Sequence, residues 1–571
     1  MNIKLIFRIS VVFAFSMLFV PASLLGQRTM DIDEIRVVAP YEPTVSDAFK
    51  INDIPRIDDT LVVKPSFAYS IMPRKLPTRF ELEPITAARL RGEPLSKLYQ
   101  GHVRGGFGTY TTPYGEAFYN TLRSNDYALG LHLKHLSSKS TIKDHGYSGY
   151  SDNLARVYGR KYLGDNTLDG GLGYQRDVIH YYGFRFKDFE DDPVVWPVLD
   201  EMNRKDIRQR VSQINANVGF GSHHPDSSRI GYYTGLEYNL LTDRYDASEH
   251  NIRFRGNIGR EVEDPFDFAD QVYVELKAST DFYHNNTPRD TSNVAVISLK
   301  PGVSARLNRV KFNAGLDLSV QSDTASYFRI YPQFGLEAGV IEKYLTIHGK
   351  FSGGLHRYSL REMLHENPFM NTQAALGFRN TKTEITGGIK GAFSDKISYN
   401  LSLASARIED YALFVTDTTT LLNNQFTLVY DHIRRLHLRG ELFSQFGSRL
   451  HARLAADYFQ YSLDEEIEAW HLPALQLGLN LKYNMQDKIV LSADVFARDK
   501  TYGRTFDEPG NPVATELHGM FVDANFGIEY RYTRILSFFL NFRNVQNKSL
   551  ERWTNYPSQK FHVMGGLTWS F

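Results

Sequence analysis

From about Gly101 onward the chain alternates apolar and polar residues with a period of two, in runs of about ten residues. No other feature constrains the fold as strongly. Leu475, Leu477, Leu479, Leu481 and Tyr483 are apolar, with Gln476, Gly478, Asn480 and Lys482 between them. After a polar turn, Asn484 to Lys488, the residues Ile489, Leu491, Ala493, Val495 and Ala497 alternate with Ser492, Asp494 and Arg498. Val522, Ala524, Phe526, Ile528, Tyr530 and Tyr532 oppose Asp523, Asn525, Glu529 and Arg531. Leu536, Phe538, Leu540 and Phe542 continue beyond a tight turn at Thr533–Arg534, and Ala452, Leu454, Ala456 and Tyr458 oppose His451, Arg453 and Asp457. A soluble sandwich alternates as well, but its strands run nearer five or six residues. Long runs with charges repeated on one face predict strands that cross a bilayer, where only helices and closed barrels satisfy every backbone hydrogen bond.

The start of the chain agrees with export. Lys4 and Arg8 form a basic region, and Ile9 to Val20 is an apolar stretch too short to span a bilayer as a helix. Cleavage near Gly26–Gln27 is expected, making 1–26 a signal peptide. Beyond it no long charge-free apolar run occurs. Lys+Arg and Asp+Glu are both 65, so no net charge argues for a nucleic-acid partner. Cys is absent, which excludes disulfides, Cys-ligated metal and a lipidated N-terminal Cys. Tyr (34) and Phe (38) are numerous enough for the aromatic girdles of a membrane barrel.

Outer-membrane barrels alternate short periplasmic turns with longer extracellular loops. The short turns are placed at Ser124–Asp126, Leu163–Asn166, His223–Ser227, Asp264–Asp267, Leu307–Arg309, Ile341–Lys343, Phe393–Lys396, Phe446–Ser448, Asn484–Lys488 and Thr533–Arg534. The longer connections are Ser138–Asp152, Asp188–Lys205, Arg357–Arg379, Asp417–Asn423, Leu463–Leu472, Lys500–Leu517 and Asn547–Ser558. The expectation is an all-β fold: a transmembrane antiparallel barrel of about 22 strands over 100–571, a size class whose lumen is normally plugged. An extended, proline-rich periplasmic or lumenal segment covers 27–99.

The strand carrying Phe561, Val563, Leu567, Trp569 and Phe571 on one face resembles the C-terminal signature that barrel-assembly machinery reads. Within the proline-rich segment, Asp59, Thr60, Leu61, Val62 and Val63 resemble the TonB box, the short strand by which TonB-dependent receptors pair with their energy-coupling partner. Tyr41 to Lys50, Phe426 to Asp431, and Ala469 to Pro473 with the strand Leu475 to Tyr483 are similar to segments of a TonB-receptor-like barrel subgroup. The resemblance covers most of the chain. It implies an outer-membrane barrel contacting lipid, with TonB or another periplasmic or outer-membrane subunit as partner. The chain departs from the family in one respect: the plug domain of those receptors is larger than the roughly seventy proline-rich residues of 27–99 can form. An empty lumen of this size would breach the membrane, so this segment, inward-folded loops or a partner should fill it.

Chemistry-bearing motifs are few. Gly146–Gly149 is no nucleophile elbow, and Gly170–Gly173 no phosphate loop. His223–His224–Pro225–Asp226 reads as a polar turn rather than a metal site. The acidic clusters Asp188, Glu190, Asp191, Asp192 and Asp464, Glu465, Glu466, Glu468 have the hard oxygens Ca²⁺ takes, but their spacing matches no EF-hand and a solvated loop is the simpler reading. Trp196 and Trp470 beside them are candidates for ligand docking or interfacial anchoring. Met363 to Met370 reads as a loop cap. No enzyme, cofactor or metal is expected. The function expected is solute uptake or binding across the outer membrane, with Asp494, Arg498, Asp523, Glu529 and Arg531 lining the wall. The alternative is a non-transporting barrel subunit of an outer-membrane assembly or secretion complex.

Overall fold

The structure, a computed structural model, describes residues 98–571 apart from 225, 264–268 and 508–509. A single 22-stranded antiparallel sheet closes on itself. Each strand pairs with its sequence neighbour, and the ring is completed where Gly101–Gly108 meets His562–Ser570, with His102 opposite Ser570 and Gly108 opposite Met564. Strand length runs from 8 residues in Gly101–Gly108 to 21 in Phe426–Phe446. About ten suffice to cross a bilayer, so the longest strands stand well clear of it.

The side chains are arranged inside out relative to a soluble protein. Leu133, Leu172, Leu236, Phe254, Phe334, Ile385, Leu403, Leu438, Leu454 and Phe526 are exposed on the outer surface around the ring. Asp317, Ser319, Gln321, Asn239 and Asn251 are buried. Inside, polar groups pair: Lys390 with Glu337 at 2.9 Å, His437 with Asp457 at 2.8 Å, Glu441 with both Arg439 at 2.8 Å and Arg453 at 2.6 Å, and Arg253 with Asp281. Apolar side chains facing outward and paired charges facing inward are stable only in a lipid solvent. The alternation expected from the sequence is therefore the alternation observed, and the chain is an outer-membrane β-barrel.

The turns placed as periplasmic all fall at one end of the ring. They lie where the sequence places them, including Leu163–Asn166, Leu307–Arg309, Phe446–Ser448 and Thr533–Arg534 between consecutive strands. The turn Asp264–Asp267 lies outside the described residues, between the strands Ser248–Val262 and Gln271–Asn286. Long connections occupy the other, extracellular end.

The seam is built on glycine. A Cβ on Gly566 would meet the Gly105 carbonyl oxygen at 2.1 Å and the Gly106 Cα at 2.6 Å. The ring of Phe539 covers Gly106 and Gly566 from the lumen side, and the Arg104 guanidinium lies 4.0 Å from its centroid. An aromatic ring thus shields the backbone that the bare glycines expose.

Candidate functional site

The long loops do not stand away from the barrel; they fold over its mouth. Arg357 ends the 13th strand, and the loop 358–377 that follows crosses the lumen. It begins with an N-cap: the Ser359 hydroxyl accepts the Glu362 N–H at 3.1 Å and starts the helix Leu360–Glu366. That helix is pinned by Glu249, 3% exposed, whose carboxylate accepts the Leu360 N–H at 2.7 Å and the Arg361 N–H at 3.4 Å. Thr372 donates to Asp243 at 2.7 Å. Asn371 N donates to the Phe426 carbonyl at 2.8 Å, and Phe426 N to that of Phe369 at 3.1 Å.

At the centre, segments from distant strands form a hydrophobic core. Leu360, Met363, Leu364 and Met370 of the crossing loop pack with Val211, Leu241, Phe414, Phe426, Trp553 and Tyr556. Phe369 stacks on Tyr556 at 3.6 Å, and Tyr182 meets the same ring edge-on at 4.9 Å. Tyr182 donates to the Pro557 carbonyl at 3.0 Å, and Asn424 to that of Tyr181 at 2.7 Å. A second cluster joins Tyr181, Phe184, Val195, Leu199, Ile207 and Leu422, and a third joins Trp470 to Leu413 and Val415. Burying each such side chain contributes about 1.5–3 kcal/mol. Loops built this way are a packed lid rather than a fringe.

Burial perturbs the titratable groups of this lid. The Tyr181 and Tyr556 phenols are pushed up by burial, as are the Glu366 and Glu551 carboxyls. The His471 imidazole is pushed down to about 4 by burial, with Arg552 adding to the effect. It sits between the Phe414 carbonyl at 3.1 Å and the Thr554 hydroxyl at 2.9 Å, against the rings of Phe426 and Trp553.

Beneath the lid lie two large cavities, of about 870 and 970 Å³, and a smaller one of about 240 Å³. The first is lined by Asp494, Arg498 and Asp523, three of the residues the sequence assigns to the wall. Glu529 and Arg531, at the turn end, face each other at 3.5 Å.

Met363 to Met370 is more than a loop cap: it supplies the core of the lid, with Met370 at 0% exposure. Trp470, at 1% exposure, is packed inside the lid rather than at the membrane interface, and its Nε1 donates to Glu466 at 2.7 Å. The acidic loop around it is structural. Asp431 accepts the backbone N–H groups of Glu465 and Glu466 at 3.1 and 2.8 Å, and Glu466 pairs with Arg504 at 3.1 Å. Asp192 caps the helix Val195–Glu201 through the N–H groups of Val194 and Val195, and Asp188 pairs with Arg185 at 3.0 Å. His224 hydrogen-bonds the carbonyls of its own turn. Among the described residues no group of three or more His, Asp or Glu is placed to hold a metal. Phe561, Leu567, Trp569 and Phe571 are exposed on the lipid side of the barrel, and Val563 is half-buried on the same face. Asp59, Thr60, Leu61, Val62 and Val63 lie outside the described residues.

A closed barrel of 22 strands with loops packed across its outer mouth is a fold also found in solved outer-membrane receptors. Three of these are similar to this chain. The pyoverdine outer membrane receptor FpvA from Pseudomonas aeruginosa matches with a TM-score of 0.63 at 11% identity, over 83% of this chain and 79% of that one. The ferric-catecholate import receptor Fiu from E. coli gives 0.62 at 11% identity, covering 83% and 82%. The FrpB iron transporter from Neisseria meningitidis gives 0.63 at 11% identity, covering 84% and 82%. No protein-family model matches the sequence, and no curated protein matches it. The likeness is one of fold, and it agrees with the TonB-receptor-like barrel expected from the sequence.

Proposed function

We propose that this protein binds a solute and admits it across the outer membrane, with the loop lid as the outer gate. One observation carries the reading: a lid with its own hydrophobic core lies across the mouth above two large cavities lined by both charged and apolar side chains. A purely structural barrel has no use for large recesses under a separately packed lid. On this reading Asp59–Val63 is where a TonB-type partner adds a strand, and Phe561, Val563, Leu567, Trp569 and Phe571 are what the assembly machinery reads.

Planar-bilayer recording tests the gate. The full chain should be closed at low voltage, and a variant with 367–373 replaced by Gly and Ser should conduct. Two silent proteins, or two that conduct equally, would refute the lid as a gate.

A further inference from the structure

The cavity of about 870 Å³ under the lid gathers positive charge. Arg498 and Arg543 end the strands Ile489–Arg498 and Leu536–Arg543, and Arg552 and Lys560 stand on the loop 544–561; all four line it. None of the four has a carboxylate partner among the described residues. The acids in the same wall do not serve them. Asp494 takes the Asn480 amide at 2.7 Å, and Asp523 keeps a buried Oδ1 with no hydrogen-bond partner. His562, 7% exposed, lines the cavity with an unpartnered Nδ1.

The neighbouring cavity of about 970 Å³ shows what committed charge looks like. There Asp152 is held by Lys134 at 2.6 Å, Glu362 by His356 at 2.7 Å, and Glu249 pins the lid helix. Most of the charge in that wall is paired, Arg156 being the exception among its arginines, whereas none of the four cations of the basic cavity is in an ion pair among the described residues. Clustered cations in a low-dielectric recess focus a field that recruits anions, and guanidinium forks match carboxylate and phosphate oxygens.

A second feature narrows the ligand. Phe496 points into this cavity and is 44% exposed, while its neighbours Val495 and Ala497 belong to the lipid face. A half-bare phenyl ring in a polar lumen is an unsatisfied apolar surface.

We propose that the basic cavity binds an amphipathic anion: an apolar or aromatic body that lies on Phe496 and carries carboxylate, phosphate or sulfonate groups for Arg498, Arg543, Arg552 and Lys560. The inference rests on the gated-uptake reading and names its substrate class.

Pyranine, a water-soluble pyrene trisulfonate, is the probe, titrated by fluorescence anisotropy into the full chain in a neutral detergent. Saturable binding that weakens with salt is expected. The double variant R498S/R552S should weaken it at least about tenfold, as loss of charge-assisted hydrogen bonds implies. Phe496→Ser should weaken it less, and Arg229→Ser, on a distant turn, not at all. Lys560→Ser, a single loop change, keeps the test alive if the double variant does not fold. Absence of saturable binding, or equal binding by the folded cavity variants, overturns the proposal. Binding together with a lid variant that stays silent in bilayers would remove the gate and leave the anion site. A conducting lid variant without binding would do the reverse.

Discussion

Replacing Glu249 by Ala should unlatch the lid while leaving the barrel intact. Glu249 is the second residue of the strand Ser248–Val262, and its backbone pairs with Leu241 and Asn285 whatever its side chain. The side chain serves the lid, accepting the Leu360 and Arg361 N–H groups and the Asn285 amide at 3.3 Å. A hydrogen bond to a charged group contributes about 1.5–3 kcal/mol net, and leaving the buried Leu360 N–H without a partner costs about 1–3 kcal/mol. Taking about 3 kcal/mol for the whole change, the open fraction of the lid should rise roughly 100-fold. Single-channel recording reads that fraction directly, and heat-modifiable migration on a gel shows that the barrel still folds. Glu249→Gln, which keeps an acceptor, should fall between the two. An open probability unchanged within about threefold in a properly folded Glu249→Ala protein would show that the helix is held by its apolar packing alone, and the latch argument would fail.

Met370→Ala removes a side chain with no exposure and should destabilise the lid by about 2–5 kcal/mol; hydrogen exchange across 358–377 should accelerate while strand amides stay protected. His471 binds no proton in the closed lid until pH nears 4, whereas a released imidazole binds one near pH 6.5. The open state therefore takes up more protons, and closure should weaken as pH falls from 6.5 towards 4, by on the order of 3 kcal/mol at the limit. The difference in open probability between the wild type and His471→Gln, followed over that window, isolates this contribution from the buried carboxyls Glu366 and Glu551, which act in the opposite sense. Gly566→Val places a branched side chain where the Gly105 carbonyl stands 2.1 Å from the first added carbon, and should abolish heat-modifiable, closed barrel on gels.

The barrel was legible because its strands repeat every two residues and its turns are short, polar and regularly spaced. The alternation around Leu475–Tyr483 and Val522–Tyr532 reports a boundary between lipid and water, and that boundary is what the structure shows. The lid was not legible, because loops carry no period. Met363, Met370, Trp470 and Trp553 lie in stretches of irregular sequence, and the two cores they enter, one for Trp470 and one for the other three, exist only after strands far apart in sequence have come round the ring. One signal was available: 358–377 carries Tyr358, Leu360, Met363, Leu364, Phe369, Met370 and Leu376, many apolar residues for a loop meant to stay in water. The short hairpins Thr501–Phe506 with Pro512–His518, and Glu551–Trp553 with Tyr556–Pro557, were likewise hidden within connections read as plain loops. The basic cavity was visible only in part. Arg498 stood out on a polar face, but Arg543, Arg552 and Lys560 come together through the ring rather than along the chain.

The seam has a consequence for how such a molecule is made. Every other strand finds its partner next door in sequence, but His102 and Ser570 meet across 468 positions, with Nδ1 and Oγ 3.0 Å apart. For a free coil, joining ends so distant costs about 5 kcal/mol of entropy, and the curvature of the sheet already zipped between them lowers that. Until His562–Ser570 is delivered, however, the nascent sheet carries two raw edges, each a template for another chain. A product cut short before that strand is then an aggregation seed rather than a smaller pore, and the cell has reason to escort or destroy it.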